Sequence, residues 1–564
     1  MKEKLIIYQV FPRIFTNMNA NCVQGGTYEQ NGSGKFNDLS PKVLKSVADL
    51  GVNCIWLTGV IEMATKTAFA GIPADNPNVV KGEAGSPYAI KDYYDVAPSL
   101  AEDVEHRMEE FEALVKRIHQ HGMKVIIDFV PNHTARVYHS DVAPAGVKDF
   151  GNDDDYSKFF SASNNYYYIV NQQFSPDFPL DSEGTVPYVE FPAKATGNDC
   201  FTAFCHRNDW YETVKLNYGY DPGDHSRHFD PAPDTWLKML HILRFWAKKG
   251  VDGFRCDMVF MVPQEFWHWA IPQVKKDYPD VVFIGEIYDV NLYRSFLDYC
   301  HFDYLYDKVN LYDTLVGIEK HNISAAQLTS CWQRVDGIGD SMLNFLENHD
   351  EVRFASREYA DDPAKVVPSL VVSSMISRGP FMIYYGQELG EMAHDNEGFA
   401  GDNNRSTIFD YWSYDTLRRW YDGGKCSALK LTRHERWLRN LYKRVLTMCN
   451  SHRAIREGSF FDLMYVNLRH DGFNPHRQYA FLRYTEDEAL LIIANFDNKE
   501  AMLSLNIPEL AIDMAGLASV EQRSKDLLWG KEYTFSVGSD AETRLIVGAH
   551  DAIILPLKIN DRKL

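Results

Sequence analysis

Arg255 and Asp257 sit two residues apart in the run Val251-Asp252-Gly253-Phe254-Arg255-Cys256-Asp257. On a strand that spacing sends both side chains to one face. A guanidinium and a carboxylate sharing the inside of a strand end need each other, because a lone buried charge is costly. A structural ion pair would satisfy that need equally well. What argues for chemistry is that polar strand ends recur: Asp128 with Asn132-His133, Glu286 after Gly285, and Glu347-Asn348-His349-Asp350. Carboxylates brought to one mouth cannot all stay ionised cheaply, so at least one should hold a proton. One protonated acid beside one carboxylate is the equipment for acid/base and nucleophilic catalysis.

Such convergence requires parallel strands, and the pattern supplies them. Apolar, β-prone runs lie at 5–11, 52–57, 124–130, 251–257, 281–285, 302–305, 341–346 and 381–385. Helical segments alternate with them. One begins after Ser40 and Pro41 as cap and first-turn proline and stops at Gly51; others cover 107–121, 234–249, 263–276 and 434–448. About eight strand–helix units predict an α/β fold, a (β/α)8 TIM barrel whose chemistry lies at the C-terminal ends of its strands. Residues 133–230 break the pattern with Asn, Asp, Pro and aromatics and no helical period. They are expected to form a small inserted domain after strand 3. The barrel would then be 1–132 and 231–455, and 456–564 a C-terminal antiparallel β-sandwich domain, with strands at 479–484, 489–495 and 552–557.

Composition narrows the partners. The chain has 564 residues and a formal charge of −20, which argues against a nucleic-acid backbone as partner. No run reaches the roughly 18–20 apolar residues of a membrane span. The first residues do not read as a signal peptide, and the nine cysteines are odd in number and scattered, so a cytoplasmic protein without a disulfide framework is expected unless an export signal has been trimmed.

In order and spacing these segments resemble the α-amylase family of glycoside hydrolases over nearly the whole chain. The motifs are Asp128…Asn132-His133, Gly253-Phe254-Arg255-Cys256-Asp257, Gly285-Glu286 and Asn348-His349-Asp350. Ile7-Tyr8-Gln9-Val10-Phe11-Pro12, Tyr88 upstream of Asp92-Tyr93-Tyr94, and Gly386-Gln387-Glu388 support them. The resemblance implies Asp257 as nucleophile, Glu286 as acid/base and Asp350 as the carboxylate that holds a distorted sugar. It makes Arg255 the group that orients Asp257 and keeps it ionised, with Asp128 supporting Arg255. His133 and His349 would donate to the sugar, and Tyr88 would be its stacking platform. Asp402 and Arg405 would line donor subsites. Asn132 resembles a calcium ligand, with Asp153, Asp154, Asp155 and Asp199 as candidate partners. No organic cofactor is implied.

Glycosidic cleavage asks for the same parts: an acid on the leaving oxygen and a carboxylate at the anomeric carbon, about 5–5.5 Å apart for a retaining double displacement. The expected activity is therefore a retaining α-glycoside hydrolase acting on an oligosaccharide or polysaccharide, namely α-glucans or malto-oligosaccharides. The alternatives are a transglycosylase, an α-1,6-glucosidase, or a non-catalytic glucan-binding relative. Where endo-acting relatives carry Lys-His after the nucleophile, this chain has Phe260-Met261. Three weaker patterns are Asn17, Asn19 and Asn21 with Asp38 as a second cation site, Cys200, Cys205 and His206 as a poor zinc pattern, and Tyr166-Tyr167-Tyr168 with Trp210-Tyr211 as sugar platforms.

Overall fold

The computed structural model describes residues 3–320, 322–538 and 541–560. Eight parallel strands close into a barrel. In chain order they are Ile6–Val10, Cys54–Leu57, Lys124–Phe129, Gly253–Cys256, Val282–Gly285, Tyr304–Tyr306, Met342–Phe345 and Phe381–Tyr384. Each pairs with its predecessor, and the first closes on the eighth with Ile6 opposite Phe381. The strands read as near-continuous apolar runs because helices cover the outside while side chains fill the inside. The sixth strand, weak in sequence, is three residues long.

The helices start and stop where the sequence punctuates them. Pro41–Ala48 begins with the Ser40 hydroxyl accepting from Val43 N–H. Gly51 ends that turn at φ 95°, where an added Cβ would lie 2.8 Å from the Thr447 backbone nitrogen. Arg433–Ser451 opens on a capping box between Thr432 and Glu435. Val366–Met375, between the seventh and eighth strands, is buried on every side. The helix expected at 263–276 forms as Gln264–Asp277.

Between the third and fourth strands the chain makes two short antiparallel pairs, His133–Ala135 with Thr213–Lys215 and Tyr168–Ile169 with Ala193–Lys194. A small core of Ile169, Phe174, Tyr188, Ala203 and Tyr211 backs them. After the barrel, Ser459–Asp462, Gln478–Tyr484, Ala489–Asn495 and Asp551–Leu557 form one antiparallel sheet. Two further hairpins, Ala501–Asn506 with Glu542–Val547 and Glu521–Lys525 with Glu532–Ser536, were not legible in sequence. Exposed Glu521, Arg523, Lys525, Glu532, Glu542 and Arg544 break up the apolar pattern in three of these four strands. The second barrel loop likewise hides a strand pair, Ile61–Met63 with Ile90–Val96. No helix among the described residues is long and apolar enough to cross a membrane.

Candidate active site

Strand register sets the site. Arg255 stands opposite Asp128 on the third strand and Ile284 on the fifth. The ladder runs one residue beyond the strands: Asp257 N–H donates to Phe129 O at 2.9 Å and Glu286 N–H to Cys256 O at 3.0 Å. Both carboxylates therefore emerge at one level. Met258 then turns left-handed at φ 43°, and its N–H donates to Glu286 Oε2 at 2.9 Å.

Arg255 is fully buried and serves four carboxylates. It lies 2.7 Å from Asp257, 2.9 Å from Glu286, 3.5 Å from Asp128 and 4.0 Å from Asp350. Its Nε donates to the Tyr306 hydroxyl at 3.2 Å. The guanidinium packs on Trp56, Tyr88 and Tyr306 at 5.4 to 5.5 Å from their ring centres. A planar, weakly hydrated cation suits such a buried hub.

Sharing changes the expected charge pattern. Burial first, and the neighbouring Glu286 charge second, hold the Asp257 carboxyl well above the usual carboxylate range, outweighing Arg255. The expectation that Arg255 alone keeps Asp257 ionised is corrected: one cation divided among several acids cannot neutralise each. Asp257 and Glu286 share one guanidinium, at 2.7 Å and 2.9 Å. Asp350 behaves oppositely. Burial pushes its carboxyl up, but the His349 ring at 3.1 Å, then Arg255 and Arg405, pull it down to about 2. Its side chain is 39% exposed and opens to the mouth.

His349 is held on both nitrogens, Nδ1 by Gln9 Nε2 at 2.9 Å and Nε2 by the Tyr88 hydroxyl at 2.5 Å. The Tyr88 ring stacks on His349 at 5.2 Å, and its hydroxyl donates to Asp128 at 3.4 Å. Asp128 also accepts from Trp56 Nε1 at 3.1 Å, and burial raises its carboxyl. His133 packs 5.3 Å from Trp210; burial and the Lys215 charge drop its ring to about 3, so it is neutral. Arg405 reaches the site through its charge on Asp350. Asp402 does not reach it by any contact; its partner is Arg357 at 3.6 Å, with both side chains exposed. Glu347 also turns away, to Arg353 at 3.0 Å.

Sequence reasoning missed Tyr288, whose hydroxyl donates to Glu286 Oε1. Its place two residues beyond Glu286 was the available signal. Gln9, quoted only within the first-strand motif, and Tyr306 each need the closed barrel to meet their partners, His349 and Arg255. Phe260 lies 6.4 Å from Tyr288, so the position of the family's Lys-His pair is lined by rings.

The calcium expectation at Asn132 does not fit the residues present. Asn132 Oδ1 accepts from the Lys215 ammonium, which also holds Asp199 at 2.6 Å and the Met261 carbonyl at 3.1 Å. Asn132 Nδ2 donates to Gly197 O at 2.7 Å. A cation already neutralises this oxygen set. Asp153 pairs with Lys148 and Asp155 with Lys158, while Asp154 accepts from Asn165 and Tyr166 N–H. The Asn17, Asn19 and Asn21 run builds loop structure: Asn17 Nδ2 donates to Asn31 O at 2.9 Å, and Asp38 accepts from Thr16 at 2.9 Å. Cys200 turns to the Phe204 carbonyl and His206 to Asp177, so no zinc set forms there. Tyr166, Tyr167, Tyr168 and Tyr211 are buried, as core rather than platforms.

Comparison with known proteins bears on family and fold. The family model described as "Alpha amylase, catalytic domain" matches residues 9–451. "Alpha-amylase 2" of Dictyoglomus thermophilum is 19% identical over 89% of this chain and 71% of its own length. The "Alpha-glucosidase" of Apis mellifera is 25% identical over 90% of this chain and 88% of its own. The structure of an α-amylase from Geobacillus thermoleovorans, complexed with acarbose, aligns with a TM-score of 0.64 at 18% identity, covering 99% of each chain.

Proposed function

The chain belongs to the α-amylase family, and from that premise we propose that it is a retaining glycosidase cleaving α-glucosidic bonds of α-glucans or malto-oligosaccharides. The observation that carries this reading is the meeting of Asp257, Glu286 and Asp350, from three separate strands, around the single guanidinium of Arg255. Their chemistry divides as glycosidic cleavage requires. A sugar entering between Asp257 and Glu286 parts the pair. Arg255, 2.7 Å from Asp257, then favours its anion, which leaves Glu286 to act as the acid. Glu286 protonates the leaving oxygen while Asp257 bonds to the anomeric carbon. Glu286 next takes a proton from the water that releases the sugar. Asp350, pulled down to about 2, stays anionic and grips sugar hydroxyls at the mouth. His133, His349 and Tyr88 complete the sugar-binding wall, and Arg405 flanks it. We assign to the Lys215 ammonium, held by Asn132, Asp199 and the Met261 carbonyl, the role of fastening the inserted region to the barrel.

Proton NMR of the first product from maltoheptaose tests the mechanism: an α-anomer is expected, and a β-anomer overturns it. Parallel digests of pullulan, isomaltose and sucrose, with and without an added sugar acceptor, report bond preference and transfer.

A further inference from the structure

Away from the catalytic mouth, the strand pair in the second barrel loop sets two buried carboxylates face to face. Glu62 on Ile61–Met63 pairs directly with Asp92 on Ile90–Val96, at a point where the register shifts on both sides of Glu62. Like charges opposite one another destabilise a sheet, and irregular register re-aims side chains next to sites. Asp95 and Asp141 join them, so that ligand oxygens from all four residues lie within 4.8 Å of one another. That spacing matches a sphere of oxygens about 2.3–2.6 Å from a hard divalent ion.

The protein's own cations settle only part of this charge. Lys91 is nearer Asp75, at 3.4 Å, than Glu62, at 3.9 Å. Arg107 is committed to Asp95, with its Nε donating at 2.8 Å, and reaches Asp141 only at 3.9 Å. Glu62 and Asp92 are 3% and 0% exposed, yet Glu62 Oε2 and Asp92 Oδ2 have no hydrogen-bond partner. Asp92 Oδ1 is used by Tyr94 N–H at 2.7 Å. The Ser140 hydroxyl lies beside Asp92 without an aligned bond and is also unpartnered. Buried acceptors left this way cost free energy unless something fills the space between them.

We propose that Glu62, Asp92, Asp95 and Asp141 bind a calcium ion, with the Ser140 hydroxyl as a further oxygen. The ion would fasten the strand that follows Tyr88 to the segment entering the inserted region, where Asp141 lies. It thereby stiffens the loop that delivers Tyr88 to His349. This set is separate from the oxygens around Asn132, which Lys215 already neutralises.

The test is calorimetry of the full chain, stripped with a chelator and titrated with calcium chloride, beside thermal unfolding with and without calcium. The expected result is one calcium bound per chain and a higher unfolding midpoint. Asp141, 43% exposed, can change without disturbing the core. Asp141→Asn should weaken binding roughly tenfold, since calcium affinity follows ligand charge. Asp92→Asn should abolish the calcium-dependent shift. An unchanged affinity in Asp141→Asn, or no binding by the stripped wild-type chain, would show that shared protons hold the cluster and would overturn the proposal.

Discussion

Glu286→Gln separates proton donation from every other task of the site. Glu286 Oε2 accepts from Met258 N–H at 2.9 Å and faces Arg255, while Oε1 accepts from the Tyr288 hydroxyl. A glutamine amide oxygen can take the first role. Its NH2 then faces the Tyr288 oxygen, which can turn to accept, so the fold should survive. What is lost is the proton. General acid catalysis contributes about 10²–10⁴-fold, or roughly 3–5.5 kcal/mol of barrier. Malto-oligosaccharide turnover should fall by that factor. An α-maltoside with a nitrophenolate leaving group needs little protonation, so formation of the glycosyl-enzyme from it should fall less than about tenfold. Presteady-state release of nitrophenolate measures that step directly. Equal losses on both substrates would refute the assignment of Glu286 as the acid.

Lys215→Ala leaves Asn132 Oδ1 and the Met261 carbonyl without their cation. Since Asp199 is 46% exposed, the loss should sit at the low end for a broken buried pair, about 3 kcal/mol by denaturant titration; no loss would show that the ammonium does not fasten the insert. Stability should also fall between about pH 5 and 8. Burial pushes the Glu397 carboxyl up from 4.5 to about 8, so the folded chain holds a proton that the unfolded chain releases, and that contribution is lost as pH rises through the folded value. One such group gives a slope of up to about 1.4 kcal/mol per pH unit. Glu397→Gln should flatten the fall, and an unaltered slope would remove Glu397 as its source.

Much of this was legible in the chain alone. Arg255 and Asp257 share a face because a strand alternates, and that local rule holds in the structure, where the two lie 2.7 Å apart. The eight apolar runs announce a parallel barrel because strands covered on both sides need continuous apolar sequence. The short strand at Tyr304–Tyr306 and the hairpins after Asn495 were faint or silent. The first is only three residues long, and charged exposed positions interrupt most of the later strands.

Charge state and ion placement were decided only by tertiary structure. Spacing brought Asp257, Glu286 and Asp350 to one mouth, but it did not say that one guanidinium would be divided among them. Asp257 is raised and Asp350 lowered, because burial and the sum of neighbouring charges act through space. Likewise Asn132 read as a metal ligand until Lys215, 83 residues away in sequence, was seen to occupy its oxygen. Glu62 carried no signal in sequence and Asp92 only a place in the Asp92-Tyr93-Tyr94 motif, until two strands set them opposite each other. A sequence specifies which groups a chain owns and which face of an element they take; the field each one feels depends on distances that exist only after the barrel closes.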